Sequence, residues 1–127
     1  MRRRQHQALQ RACLFVFCVS CFFLALRHAR ADGDFNGAGP ERREWFRQQR
    51  NLIGEVCCDH TEAFTVDDYQ WVDGRWRVTV RGVTVEVPPE RVDPKVNPYG
   101  SAIVWIYPRG AEITAATTRC FLRGMEG

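Results

Sequence analysis

The chain has 127 residues with 18 basic and 15 acidic side chains, for a formal charge of +3. Six of the basic residues (Arg2, Arg3, Arg4, Arg11, Arg27, Arg30) fall in the first 31 positions and every acidic one lies beyond, so residues 32–127 carry 12 basic against 15 acidic groups, or −3. That balance lacks the clustered Lys and Arg that carry nucleic-acid binding, and no nucleic-acid partner is expected.

The N-terminus reads as a charged start, MRRRQHQALQRA, followed by an apolar run from Cys13 to Leu26 and the triplet Ala29-Arg30-Ala31. The run falls short of the ~20 residues a spanning helix needs, and the order of parts is that of a secretory signal peptide. Residues 1–31 are expected to be removed after Ala31, with membrane contact confined to this segment before cleavage and the mature chain periplasmic or secreted. An uncleaved anchor would leave the A-x-A triplet without a purpose. Cys18 and Cys21 lie inside the apolar run, not at its end where a lipid-modified cysteine would sit. Residues 32–39, DGDFNGAG, read as a flexible leader, and 40–127 as one small domain, near the lower end of what an unaided core stabilises.

PERREWFRQQRNLIG predicts a helix, with Pro40 near its first turn and Gly54 past its end. Trp45, Phe46, Gln49, Leu52 and Ile53 fall on one arc at helical spacing, and Arg43, Arg47 and Arg50 form a narrow stripe beside it. The stripe is a candidate contact for anionic lipid or glycan; structurally it is also what an ordinary solvated helix face looks like.

Asp67 to Val87, DDYQWVDGRWRVTVRGVTVEV, predicts a three-stranded meander. Closing hairpin turns at Asp73-Gly74 and Arg81-Gly82 sets Trp71 opposite Trp76, Tyr69 opposite Val78, Val78 opposite Val85, Val80 opposite Val83 and Arg77 opposite Glu86. Tyr69, Trp71, Trp76, Val78, Val80, Val83, Val85 and Val87 then share one face. Asp68, Gln70, Arg77, Thr79, Thr84 and Glu86 share the other, a sorting that a one-residue slip would destroy. PPERVDPKVNPYG reads as a proline-broken connection without regular structure, Ala102 to Tyr107 as an apolar strand, and TTRCFLRG as a closing strand carrying Cys120. The expected fold class is α+β: an N-terminal helix followed by a mostly antiparallel sheet, or partly open barrel, of about five strands.

EVCCDHTE, Glu55 to Glu62, gathers most of the chain's candidate chemistry, because beyond the signal segment the only cysteines are Cys57, Cys58 and Cys120. A metal reading would use Cys57, Cys58, His60 and Cys120, but structural zinc sites space their cysteines so that two sulfurs turn toward one ion, and adjacent residues in extended chain point to opposite sides. A nucleophilic reading has His60 three residues from Cys57, with nothing evident to orient the base and no C-x-x-C. The remaining reading is a disulfide from Cys120 to Cys57 or Cys58, closing a loop of about sixty residues in an oxidising compartment. The third thiol would then be free for a disulfide-linked dimer.

Trp45-Phe46, Cys57-Cys58-Asp59, Val87-Pro88, Asn97-Pro98-Tyr99-Gly100, Ala102-Ile103-Val104 and Arg119-Cys120-Phe121 together resemble a group of small exported, cysteine-containing proteins of alphaproteobacteria, of rhizobial type and uncharacterised function. The resemblance spans nearly all of residues 32–127 and implies an exported, disulfide-stapled domain. In the group's pattern a cysteine follows CCD by a few residues and another precedes the tryptophan of the fourth strand; here those places are Ala63 and Val104, which implies one disulfide lost and one kept. The functional expectation is a non-enzymatic, envelope-associated binding or accessory protein without a cofactor. Its partner would be an envelope component or another protein, met through Arg43, Arg47, Arg50 and Arg77. A metal- or redox-active periplasmic protein and a small periplasmic hydrolase inhibitor are the alternatives.

Overall fold

The computed structural model describes residues 33–125; the signal segment expected over 1–31 lies outside the described residues. In chain order the elements are helix α1 (Pro40–Arg47), β1 (Ala63–Thr65), β2 (Asp68–Val72), β3 (Arg75–Val80), β4 (Val83–Val87), β5 (Val92–Val96), β6 (Ile103–Ile106) and β7 (Thr118–Arg123). Single 3₁₀ turns at His60–Glu62 and Pro89–Arg91 precede β1 and β5.

The meander β2-β3-β4 forms in the expected register. Trp71 faces Trp76, Tyr69 faces Val78, Val78 faces Val85, and Val80 faces Val83. Its turns dictate this: Asp73, Gly74, Arg81 and Gly82 all have φ between 48° and 77°, the twist that two-residue hairpins demand and that glycine adopts without steric cost. Val78, Val80, Val85 and Val87 are buried on the inner face. On the outer face Arg77 meets Glu86 at 3.3 Å and the Thr79 and Thr84 hydroxyls meet at 2.8 Å.

The second sheet has four strands in the order β1-β6-β7-β5. Its centre is β6, IVWI, buried at every residue, because both faces are covered. Val104 and Ile106 join Phe64, Phe121 and the meander valines in a core between the sheets. Ile103 and Trp105 join Phe46, Cys57, Ala63, Cys120 and Leu122 in a second core on the other face.

Several expectations need correction. The α+β architecture with a single sheet or partly open barrel of about five strands is not what forms: the regular structure of the described residues is mostly strand, arranged as two separate open sheets of four and three strands beside one short helix. β5 lies within the segment expected to be irregular. Pro94 is tolerated there because β5 is an edge strand, touching β7 in parallel only around Val92 and Val96.

The long helix is not formed either. α1 stops at Arg47 after eight residues. The Gln49 carbonyl accepts from Cys57 N–H (3.1 Å) and its side-chain amide donates to the Trp45 carbonyl (2.6 Å), so the groups that would continue the helix are engaged elsewhere. Residues 50–56 instead make a small hairpin in which Leu52 and Ile53 are exposed, not on the core arc predicted for them. Ahead of α1, the Gly33 and Asp34 N–H groups donate to the Thr61 and Ala63 carbonyls at 3.0 and 2.8 Å. A Cβ at Gly33 would sit 2.5 Å from the Ala63 oxygen, so only glycine permits this approach. Ala63 and Val104 lie in different cores on opposite faces of the sheet.

Candidate functional site

The sequence left open which of the two adjacent cysteines is bridged; the fold decides it. Cys57 is buried beside β7 and forms a disulfide with Cys120, with Cα atoms 5.3 Å apart. Cys58 turns the other way at φ 83°, half-buried and unbridged. Burial, reinforced by the Glu62 charge, pushes its thiol above the usual range, which lowers the thiolate fraction and makes it a poor nucleophile at neutral pH.

The acidic residues around it are occupied structurally. Asp59 Oδ1 accepts from the Thr61 N–H (2.7 Å) and hydroxyl (2.6 Å), capping the 3₁₀ turn. Burial opposes its ionisation, but these hydrogen bonds outweigh it and hold the carboxyl below its ordinary value. Glu62 is pushed upward by burial and by the neighbouring Asp59 charge. His60 is buried against Phe46, with Nδ1 3.8 Å from Asp59 Oδ1, too far for a hydrogen bond. Of the four residues named for a metal, Cys57 and Cys120 are bonded to each other. Among the described residues no three His, Cys, Asp or Glu side chains converge as a metal site.

The four arginines lie on different elements. Arg43 Nε donates to the Ala38 carbonyl (2.6 Å) and Arg47 pairs with Glu44 (3.4 Å) on α1. Arg50 follows the end of the helix, and Arg77 belongs to the other sheet, paired with Glu86.

Among the described residues the fold makes a concave feature that the residue pattern did not announce. Trp71, Trp76 and Val87 form a row across β2, β3 and β4, and Gly74, Arg75, Pro89 and Val92 close around them as a cleft of about 160 Å³. The Trp71 and Trp76 rings meet edge to face at 5.1 Å. Trp76 is backed by Tyr69 at 5.6 Å and Phe121 at 5.7 Å, so the floor is rigid, while Trp71 remains 60% exposed. At the rim Arg75 lies 3.9 Å from Glu86. The signal available in the sequence was the inward register of both tryptophans; the missing wall, Pro89 and Val92, comes from the link into β5.

A buried acid lies apart from these features. Asp93 on β5 is fully buried, and its Oδ1 accepts from Lys95 N–H (2.9 Å). Burial raises its pKa above the ordinary carboxylate value, with the Lys95 and Arg50 N–H groups and the Lys95 charge pulling the other way. A raised folded pKa means the native state holds its proton longer than the unfolded chain does, so stability falls as pH rises from the ordinary carboxylate value through the raised one. Asp93→Asn keeps the acceptor for Lys95 and is expected to gain on the order of 1 kcal/mol at pH 7. In urea titrations from pH 7 downward, that gain should vanish as wild-type Asp93 becomes protonated. A gain that persists at low pH would show that charge burial is not the cause.

Among the described residues no helix is long and apolar enough to cross a membrane. Comparison with protein-family models, curated proteins and solved structures finds no match to this chain.

Proposed function

We propose that the chain is an exported, disulfide-stapled domain with a non-enzymatic binding role at the cell envelope, working as a periplasmic or secreted accessory protein. The resemblance to small exported alphaproteobacterial proteins and the signal-like N-terminus support the location. The observation that carries the binding role is the aromatic cleft. Its volume of about 160 Å³ is well under the ~300–1,000 Å³ of pockets that enclose drug-sized ligands and cofactors. It suits a single large side chain from a protein partner. Trp and Arg, the residue types that line it, are those most often found as binding hot spots, and a rigid floor keeps the ordering cost of docking low. Arg75 favours a partner segment with a carboxylate next to the inserted group.

The test is affinity capture from envelope extracts of the native cells with wild-type and Trp71→Ala protein. Because Trp71 is largely exposed, the variant should melt within a few degrees of wild type, yet lose its partner by roughly 30-fold or more, the effect of a 2 kcal/mol hot spot. Equal capture by both proteins would remove the cleft from the binding site.

A further inference from the structure

The hairpin after α1 is built in an unusual way for its content. Arg50 and Val56 form an antiparallel bridge, Asn51 N–H donates to the Glu55 carbonyl (3.0 Å), and Gly54 N–H returns to the Asn51 carbonyl (2.9 Å) with φ 82°. This is a tight turn with Leu52 and Ile53 at its two central positions, places normally filled by polar residues or proline. The two side chains are 62% and 60% exposed, and nothing about the turn requires them to be apolar.

The base of the turn is braced far more than its own closure needs. Asn51 Nδ2 donates to Glu55 Oε2 (3.0 Å) and to the Arg119 carbonyl (3.3 Å). Arg91 bonds Glu55 at 2.5 Å, and Arg119 Nε donates to the Val56 carbonyl at 3.1 Å. The result is a convex, rigid aliphatic tip, not a groove. Around its base stand three guanidinium groups, Arg50, Arg91 and Arg119, against two carboxyl groups, Glu55 and the buried Asp93 that accepts from the Arg50 N–H. A positive excess remains there although acidic residues outnumber basic ones over residues 32–127.

We propose that the Leu52–Ile53 tip, with the surrounding Arg50, Arg91 and Arg119, seats the domain on an anionic lipid bilayer. Two adjacent aliphatic side chains on a convex turn match the acyl boundary just below the headgroups, and the guanidinium groups then lie at the level of the phosphates. The charge excess selects an anionic surface over a neutral one, and the rigid base means that little conformational freedom is lost on docking. This goes beyond membrane contact through the N-terminal segment alone. For its setting it rests on the envelope location proposed above, but it is independent of the Trp71 cleft.

The experiment uses the full chain with vesicles of equimolar phosphatidylglycerol and phosphatidylcholine containing a lipid with a photoactivatable acyl chain. After illumination, reduction and tryptic digestion, the tip lies in the peptide Asn51–Arg75, separate from every N-terminal fragment. Label is expected on Asn51–Arg75. It should fall about tenfold or more in the Leu52→Ser/Ile53→Ser variant, whose melting temperature should hold because both positions are exposed. Arg50→Glu (where the tip is read in the longer tryptic peptide Gln48–Arg75), raised salt or vesicles of phosphatidylcholine alone should each weaken it, whereas Trp71→Ala should leave it unchanged. Label confined to the N-terminal fragments, absent altogether, or equal on neutral vesicles would overturn the proposal; the last two would point to a protein pocket as the occupant of the tip.

Discussion

Replacing Cys57 and Cys120 together by alanine is expected to lower the free energy of unfolding by about 4 kcal/mol, because the bond spans a sequence separation of 63 residues and restricts the unfolded chain accordingly. That is a large share of the 5–15 kcal/mol that holds a typical domain. The melting temperature should drop by roughly 15–30 °C, since each kcal/mol moves a domain of up to about 100 residues by 4–8 °C. Both cysteines are changed because a single replacement would leave a second unpaired thiol beside Cys58 and invite exchange. Urea unfolding at pH 7 measures the effect. A loss below about 1 kcal/mol would mean that the packed sheet, not the cross-link, holds the segment around Cys57 in place.

Phe46→Ala is the second large effect. An eight-residue helix is far below the ~12–15 residues needed for helicity on its own, so α1 depends on packing. Phe46 is its only fully buried residue, and its ring meets Phe35 at 5.0 Å, Trp45 at 5.1 Å and Trp105 at 5.9 Å. Truncation should cost about 3–5 kcal/mol, and amide exchange should show α1 unprotected while β2–β4 keep their protection. The meander packs into the other core, so uniform loss of protection would contradict this division of the interior. Combining this change with loss of the disulfide should be non-additive, because both act on the same cluster of side chains.

The candidate site was only partly legible in the residues. EVCCDHTE held the staple, but its other members turned out to be structural: Asp59 caps a turn and His60 packs on Phe46. Of the expected arginine stripe, Arg43 and Arg47 lie on α1 and Arg50 beyond its end, because the helix stops at Arg47. The cleft needed Pro89 and Val92 to be brought against two tryptophans far back in the chain, and no local pattern carries that information.

What the sequence determined by itself is what local interactions encode. Alternating side chains and two glycine-containing turns pin the register of the meander, and an unbroken apolar run makes β6 a strand. What only the tertiary structure decided is whatever depends on which surface is buried against which. Cys57 and Cys58 are chemically identical, and the chain is bridged at Cys57 because Arg119 of β7 holds the preceding Val56 carbonyl while Asn51 holds the Arg119 carbonyl, which sets Cys57 against Cys120. The helix stops for the same reason, its next carbonyl being taken by Cys57. Pro94 lies in a strand because β5 is an edge. Leu52 and Ile53, which helical periodicity assigns to the core, end in solvent because the chain turns back before reaching it.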